Sequence, residues 1–142
     1  MHQFLGQTQP GDALVIQAFV SQTAEMDDLL TELRTYLRNR YRLATFAGYD
    51  PRCLHTTGQM VKGGQQNIFV VQLTAAAERD IPIPDKVGQP AASLTFGKLQ
   101  EVQVAVDALA VRRARRRVMY FRLGIDAANQ LRQFIGQETM VM

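Results

Sequence analysis

The chain has 142 residues, 46% of them hydrophobic and 8% aromatic with no Trp, which fits one domain with a core of Leu, Val, Ile and Ala. A domain of this length buries about two-thirds of the surface that its unfolded chain exposes. Sixteen basic residues against 13 acidic ones leave a modest +3, and the single cysteine, Cys53, excludes an internal disulfide and a cysteine-built metal cage. No secretion-signal pattern and no apolar run near the ~20 residues of a membrane helix is present, so a cytosolic location without a membrane partner is expected.

The opening residues to Asp12 are polar, His2 falls at a terminus expected to fray, and Pro10-Gly11 signals a turn. Ala13 to Val20 is a short apolar run that predicts a buried strand. Ser21 to Thr23 offers hydroxyl caps to a helix over 24–40, on which Met26, Leu29, Leu30, Leu33 and Leu37 share one face. Leu43 to Phe46 predicts a second strand, and the segment from Gly48 to Gln66 predicts a long polar loop. Asn67 to Thr74 predicts a third strand. Ile81-Pro82-Ile83-Pro84 is expected to be irregular, because neither proline can donate to a ladder.

Leu94 to about Val111 predicts a helix with Leu99, Val102, Val106 and Leu109 on one face. Val118 to Leu123 predicts the last strand. Asp126 can cap a final helix that carries Ala127, Leu131, Phe134 and Ile135. Alternating strands and helices, with near-continuous apolar strands, predict a single α/β domain over 1–142. Its architecture is expected to be a three-layer α/β/α sandwich on a mostly parallel sheet of four to five strands.

The residues that could carry chemistry concentrate between Gly48 and Gly64. A loop there would lie at the carboxyl ends of parallel strands, where open α/β sheets bind ligands. His55, Thr56, Thr57, Gly58, Gln59, Lys62, Gly63 and Gly64 combine an imidazole, hydroxyls, an amide, a cation and permissive backbone. That mixture suits a phosphorylated or polyhydroxy ligand. It is equally that of a solvated loop with a capping Thr, a hydrogen-bonded His55 and a solvent-facing Lys62. Nothing in the residue pattern asks for a metal or a cofactor.

The stretch Tyr49-Asp-Pro-Arg-Cys-Leu-His-Thr-Thr-Gly-Gln-Met-Val-Lys-Gly-Gly64 resembles a segment near the C-terminus of the bacterial transaldolase–glucose-6-phosphate isomerase fusion proteins. Asp80-Ile-Pro-Ile-Pro84 and Thr95-Phe96-Gly97 resemble later segments of the same family, in the same order and spacing. The resemblance implies a second sugar-isomerase (SIS) domain, here SIS-like and truncated. It implies aldose–ketose isomerisation of a sugar phosphate, with an imidazole opening the ring and a carboxylate moving a proton through an enediol.

His55 matches the first histidine of a family pattern resembling Leu-His-Ser-Thr-Gly-Gln-Leu-His-Lys-Gly-Gly, but Val61 stands at the second. A basic residue expected near Gln100 is absent, and the family's first SIS domain and carboxylate base would lie upstream of this segment. A SIS-like domain that is not catalytic alone is therefore expected, binding a sugar phosphate or a protein. Loss of its neighbouring domain implies a homodimer or a hetero-complex. Part of an active isomerase completed by another chain or domain is the alternative. The run Arg112, Arg113, Arg115, Arg116 and Arg117 offers a third reading, nucleic-acid binding. It has no interleaved aromatics for base stacking, so no nucleic-acid partner is expected.

Overall fold

The computed structural model describes residues 1–53, 55–77 and 79–140, with Leu54 of the quoted motif outside them. Its elements are α1 (His2–Leu5), β1 (Ala13–Phe19), α2 (Ala24–Tyr41), β2 (Ala44–Tyr49), α3 (Thr57–Gly63) and β3 (Ile68–Ala75). After these come β4 (Pro82–Ile83), β5 (Leu94–Thr95), α4 (Phe96–Arg113), β6 (Arg117–Leu123) and α5 (Ala127–Met140). Four strands form a parallel sheet in the order β2-β1-β3-β6, and β4 and β5 form a small antiparallel pair.

The apolar run of β1 is buried almost throughout, as is that of β3, because these are the two central strands of a sheet covered on both faces. α2 begins where Thr23 Oγ1 accepts the amide of Met26 at 3.1 Å, and it ends at Arg42, which is left-handed at φ 57°. Met26, Leu29, Leu30, Leu33 and Leu37 all point into the core. α5 starts at Asp126, whose carboxylate receives the Asn129 amide at 3.4 Å, and it buries Leu131 and Ile135 beside α2. Helices α2 and α5 cover one face of the sheet, while α3 and α4 cover the other with a smaller apolar cluster of Val15, Val61, Ile68, Val70 and Val111. The result is a three-layer α/β/α architecture.

Four expectations change. The N-terminus is tied down: Leu5 is buried, and His2 meets the Tyr41 hydroxyl at 2.6 Å and the Glu138 carboxylate at 2.9 Å. The segment from Gly48 to Gln66 is not one loop, since β2 runs on to Tyr49 and residues 57–63 are helical. Seven residues are too few for a stable isolated helix, so α3 depends on tertiary support. Val61 supplies part of it from the core, and Arg116 adds more by donating to the carbonyls of Val61, Lys62, Gly64 and Gln65.

Pro82 does enter a strand, which is permitted because β4 is a two-residue edge where the missing N–H costs no ladder bond. Finally, α4 starts at Phe96, capped by Thr95, two residues later than expected, and its apolar row is turned away from the sheet. Val102, Val106 and Leu109 are 51%, 61% and 48% exposed, while the opposite face buries Asp107 and Val111.

Candidate functional site

On the α3/α4 side, the sheet changes character from its amino to its carboxyl end. Val15 and Val70 belong to the apolar cluster under Val61 and Val111. Two residues further along the same strands stand Gln17 and Gln72, which are partners in register and 2% and 0% exposed. Two further residues on come Phe19 and Thr74, at the rim of an open cleft. The order is therefore an apolar layer, a buried polar layer and an open cleft.

The polar layer is a connected chain. The Gln72 amide nitrogen donates to Gln17 Oε1 at 2.9 Å and to Asp107 Oδ2 at 2.8 Å. Asp107 also pairs with Lys62, which reaches in from α3 and is 20% exposed. Lys62 is thus not the solvent-facing side chain expected of a loop lysine. Gln17 in turn donates to Asp50, at the end of β2, so two carboxyl groups are linked through two amides. Burial first, and the neighbouring Asp107 second, push the Asp50 carboxyl up to about 6 against the pull of Lys62 and Gln17. Gln72 Oε1 is buried without a hydrogen-bond partner among the described residues.

The cleft above this layer has a volume of about 540 Å³ and is lined by Phe19, Thr74, Asp80, Gly97, Gln100 and Arg122, among others. β1 leads to β2 on one side and pairs with β3 on the other. The mouth of the cleft is thus the topological switch point, where open α/β sheets take ligands. Asp80 is fixed by the Thr95 hydroxyl and by the Gly97 amide at 2.7 Å, and these bonds hold its carboxyl below the usual range. A Cβ at residue 97 would lie 2.7 Å from the Asp80 carboxylate and would have to displace it, so glycine suits this contact. Glu101, on the α4 wall, pairs with Lys98 at 2.9 Å. Arg122 has no ion-pair partner among the described residues.

Residues 55–64 do not line this cleft. His55, Thr56 and Gln59 are exposed, Thr57 opens α3, and Gly58 is buried where a Cβ would meet the Cys53 carbonyl at 2.8 Å. Gly63 and Gly64 close the helix under Arg116. The motif comes nearest at Pro51, which shares a side groove with Ala77, Asp80 and Gln100.

Three arginines of the run make contacts within the chain. Arg116 is 6% exposed and caps α3. Arg117 lies 3.8 Å from the Phe69 ring centroid and reaches Asp12 at 3.7 Å, and Arg112 stacks on Tyr120. Among the described residues, no cluster of three His, Cys, Asp or Glu is placed to hold a metal, and no helix is long and apolar enough to cross a membrane.

No family model matches the chain, and no curated protein matches it. Among solved structures, it is similar to a hypothetical protein from Thermus thermophilus, with TM-score 0.68 and 16% identity over 94% of this chain. A de novo designed Rossmann fold protein is also similar, with TM-score 0.44 and 10% identity over 89% of this chain and 96% of that one. The chain spans 34% of the Thermus protein, and the likeness between the two is one of fold.

Proposed function

We propose that the chain is a SIS-like domain related to glucose-6-phosphate isomerase that binds a phosphorylated polyhydroxy ligand, such as a sugar phosphate, at the carboxyl ends of β1, β3 and β6. In this reading it does not complete an isomerase site by itself. The observation that carries the proposal is the cleft at the switch point, lined by Arg122, which has no ion-pair partner among the described residues, together with Asp80, Glu101, Gln100 and Thr74. A guanidinium binds a phosphate through paired, charge-assisted hydrogen bonds. Carboxylates, an amide and a hydroxyl accept and donate to sugar hydroxyls. The resemblance of residues 49–64, 80–84 and 95–97 to the isomerase family agrees with that ligand class.

Proton transfer lacks its partners in this reading. His55 lies outside the cleft, and Val61, at the position of the second histidine, is 0% exposed in the core. The isolated chain is expected to give no conversion of glucose 6-phosphate to fructose 6-phosphate.

Calorimetric titration with glucose 6-phosphate tests the ligand. The wild type is expected to bind at about millimolar affinity, or roughly 4 kcal/mol. Arg122→Ala is expected to bind at least about tenfold more weakly, the loss of one charge-assisted contact. Equal binding by wild type and Arg122→Ala, or no binding at all, contradicts the proposal.

The second reading, part of a working isomerase completed by another domain or subunit, draws on Asp50. Burial pushes its carboxyl up to about 6, within the range of proton-handling carboxyl groups, and Gln17 and Gln72 link it by hydrogen bonds to Asp107. Turnover that appears when a co-purifying partner is added to the chain, and that is lost in Asp50→Asn, would favour it.

A further inference from the structure

The outer face of α4 carries Val102, Val106 and Leu109, and the half-buried Leu99 at the edge of the side groove extends the row, at intervals of three, four and three residues, the seam spacing of helices that pack along one another. Val102, Val106 and Leu109 are about half exposed or more, and nothing among the described residues covers them. The inner face, with Gln100, Val104, Asp107 and Val111, already meets the sheet side, so the outer stripe is surplus to the folding of this chain. A helix with two apolar stripes has two partners to satisfy.

The stripe reads the same in both directions: Leu, Val, Val, Leu, centred on position 104. A two-fold axis through that centre lays α4 antiparallel against itself, with Leu99 on Leu109 of the second copy and Val102 on Val106. Such a contact is isologous and closes after two copies. The charges favour the same orientation. The C-terminal end of α4 carries Arg112 and Arg113; its N-terminal end carries Lys98, neutralised by Glu101, and beside it lies Asp80, bonded to Thr95 and Gly97. Antiparallel pairing brings Arg113 of one copy to Thr95 and Asp80 of the other. Parallel pairing would stack Arg112 and Arg113 on their own copies. The flanks between these ends, Gln103, Ala105 and Ala110, are small or uncharged and let the two backbones approach.

We propose that the outer face of α4 is a homodimer interface in which two copies of this chain pair antiparallel about a two-fold axis at position 104. The association is tested by sedimentation of the full chain, and its geometry by cysteine cross-linking in a Cys53→Ser background. The wild type is expected to sediment as a dimer at micromolar concentration. Val106→Asp and Val102→Lys, both at exposed positions, are expected to shift it to monomer by about tenfold or more in dissociation constant, with an unchanged circular dichroism spectrum.

Leu99→Cys mixed with Leu109→Cys is expected to cross-link under a mild oxidant such as diamide, while each variant alone is not. A wild type that stays monomeric at high micromolar concentration, a dimer that persists in both charged variants, or cross-linking of Leu109→Cys with itself would overturn the proposal. A partner other than a second copy would show itself as a monomeric wild type.

Discussion

On one side of the sheet, α1, α2 and α5 close over an unbroken apolar core. On the other, α3 and α4 cover an apolar patch only at the amino end, and the rest is given to a buried charge network and an open cleft. The same strands serve both sides, so the difference is written in alternate residues. Leu14, Ile16 and Ala18 of β1 face the first side, whereas Val15, Gln17 and Phe19 face the second. A fully apolar second face would be more stable by the usual measure of area removed from water. The polar layer instead holds Lys62, Asp107, Asp50 and two glutamines in fixed positions one layer below the cleft. Sites of function commonly depart from local stability in this way.

The largest test of this contrast is removal of one member of the network. Asp107→Ala is expected to cost about 3–5 kcal/mol in urea unfolding, because it removes the ion-pair partner of the largely buried Lys62 and leaves one N–H of the Gln72 amide without an acceptor. Asp107→Leu combined with Lys62→Met is expected to recover most of that loss, since a well-packed apolar pair of similar volume is often neutral or stabilising. On the first face no such recovery exists: Leu33→Ala is expected to cost about 2–5 kcal/mol from lost contacts and a cavity. A double variant no better than Asp107→Ala would erase the distinction between the two faces.

The next effect concerns α3. Arg116→Ala leaves several helix-end carbonyls without donors in a half-buried site, at an expected cost of about 2–3 kcal/mol. Amide exchange at Val61 and Lys62 should quicken more than global unfolding accounts for. Arg116→Lys should not restore protection, because one ammonium cannot reach carbonyls that a planar fork spans. Full rescue by lysine would assign Arg116 a role as charge alone.

The smallest effect is a pH slope. Asp50 titrates at 3.8 in the open chain and at about 6 in the folded protein. Between those values the native state keeps a proton that the unfolded state has released, so stability falls as pH rises from about 4 to 6 and levels off above. Asp50→Asn should flatten that slope and leave the protein more stable at pH 7, by about 1 kcal/mol after solvent screening is allowed for. A slope that survives in Asp50→Asn would place the titrating group elsewhere.

Much of the scaffold is legible from local pattern. The apolar runs of β1 and β3 and the five-residue stripe of α2 mark elements that the structure places within one or two residues of expectation. The last strand and helix follow in the same way. α3 is not legible, because a seven-residue segment with glycine near each end has no local reason to be helical. Its support comes from Arg116, far along the chain.

The α4 stripe is visible, but periodicity alone does not say which of two faces meets the sheet. A signal for the buried network does exist: Gln17 and Gln72 each interrupt an otherwise apolar strand, and polar residues in such strands need buried partners. The cleft has no local signal. Thr74, Asp80, Gln100 and Arg122 are scattered along the chain, and only the strand order gathers them.

The central claim is tested most directly by following the amide resonances of labelled protein as glucose 6-phosphate is added, with inorganic phosphate and glucose in parallel. Ligand binding in the cleft predicts shifts centred on Thr74, Gly97, Gln100 and Arg122, present with the sugar phosphate and weaker with either half of it. Shifts confined to residues 55–64, or a spectrum that stays still well above millimolar ligand, would contradict it.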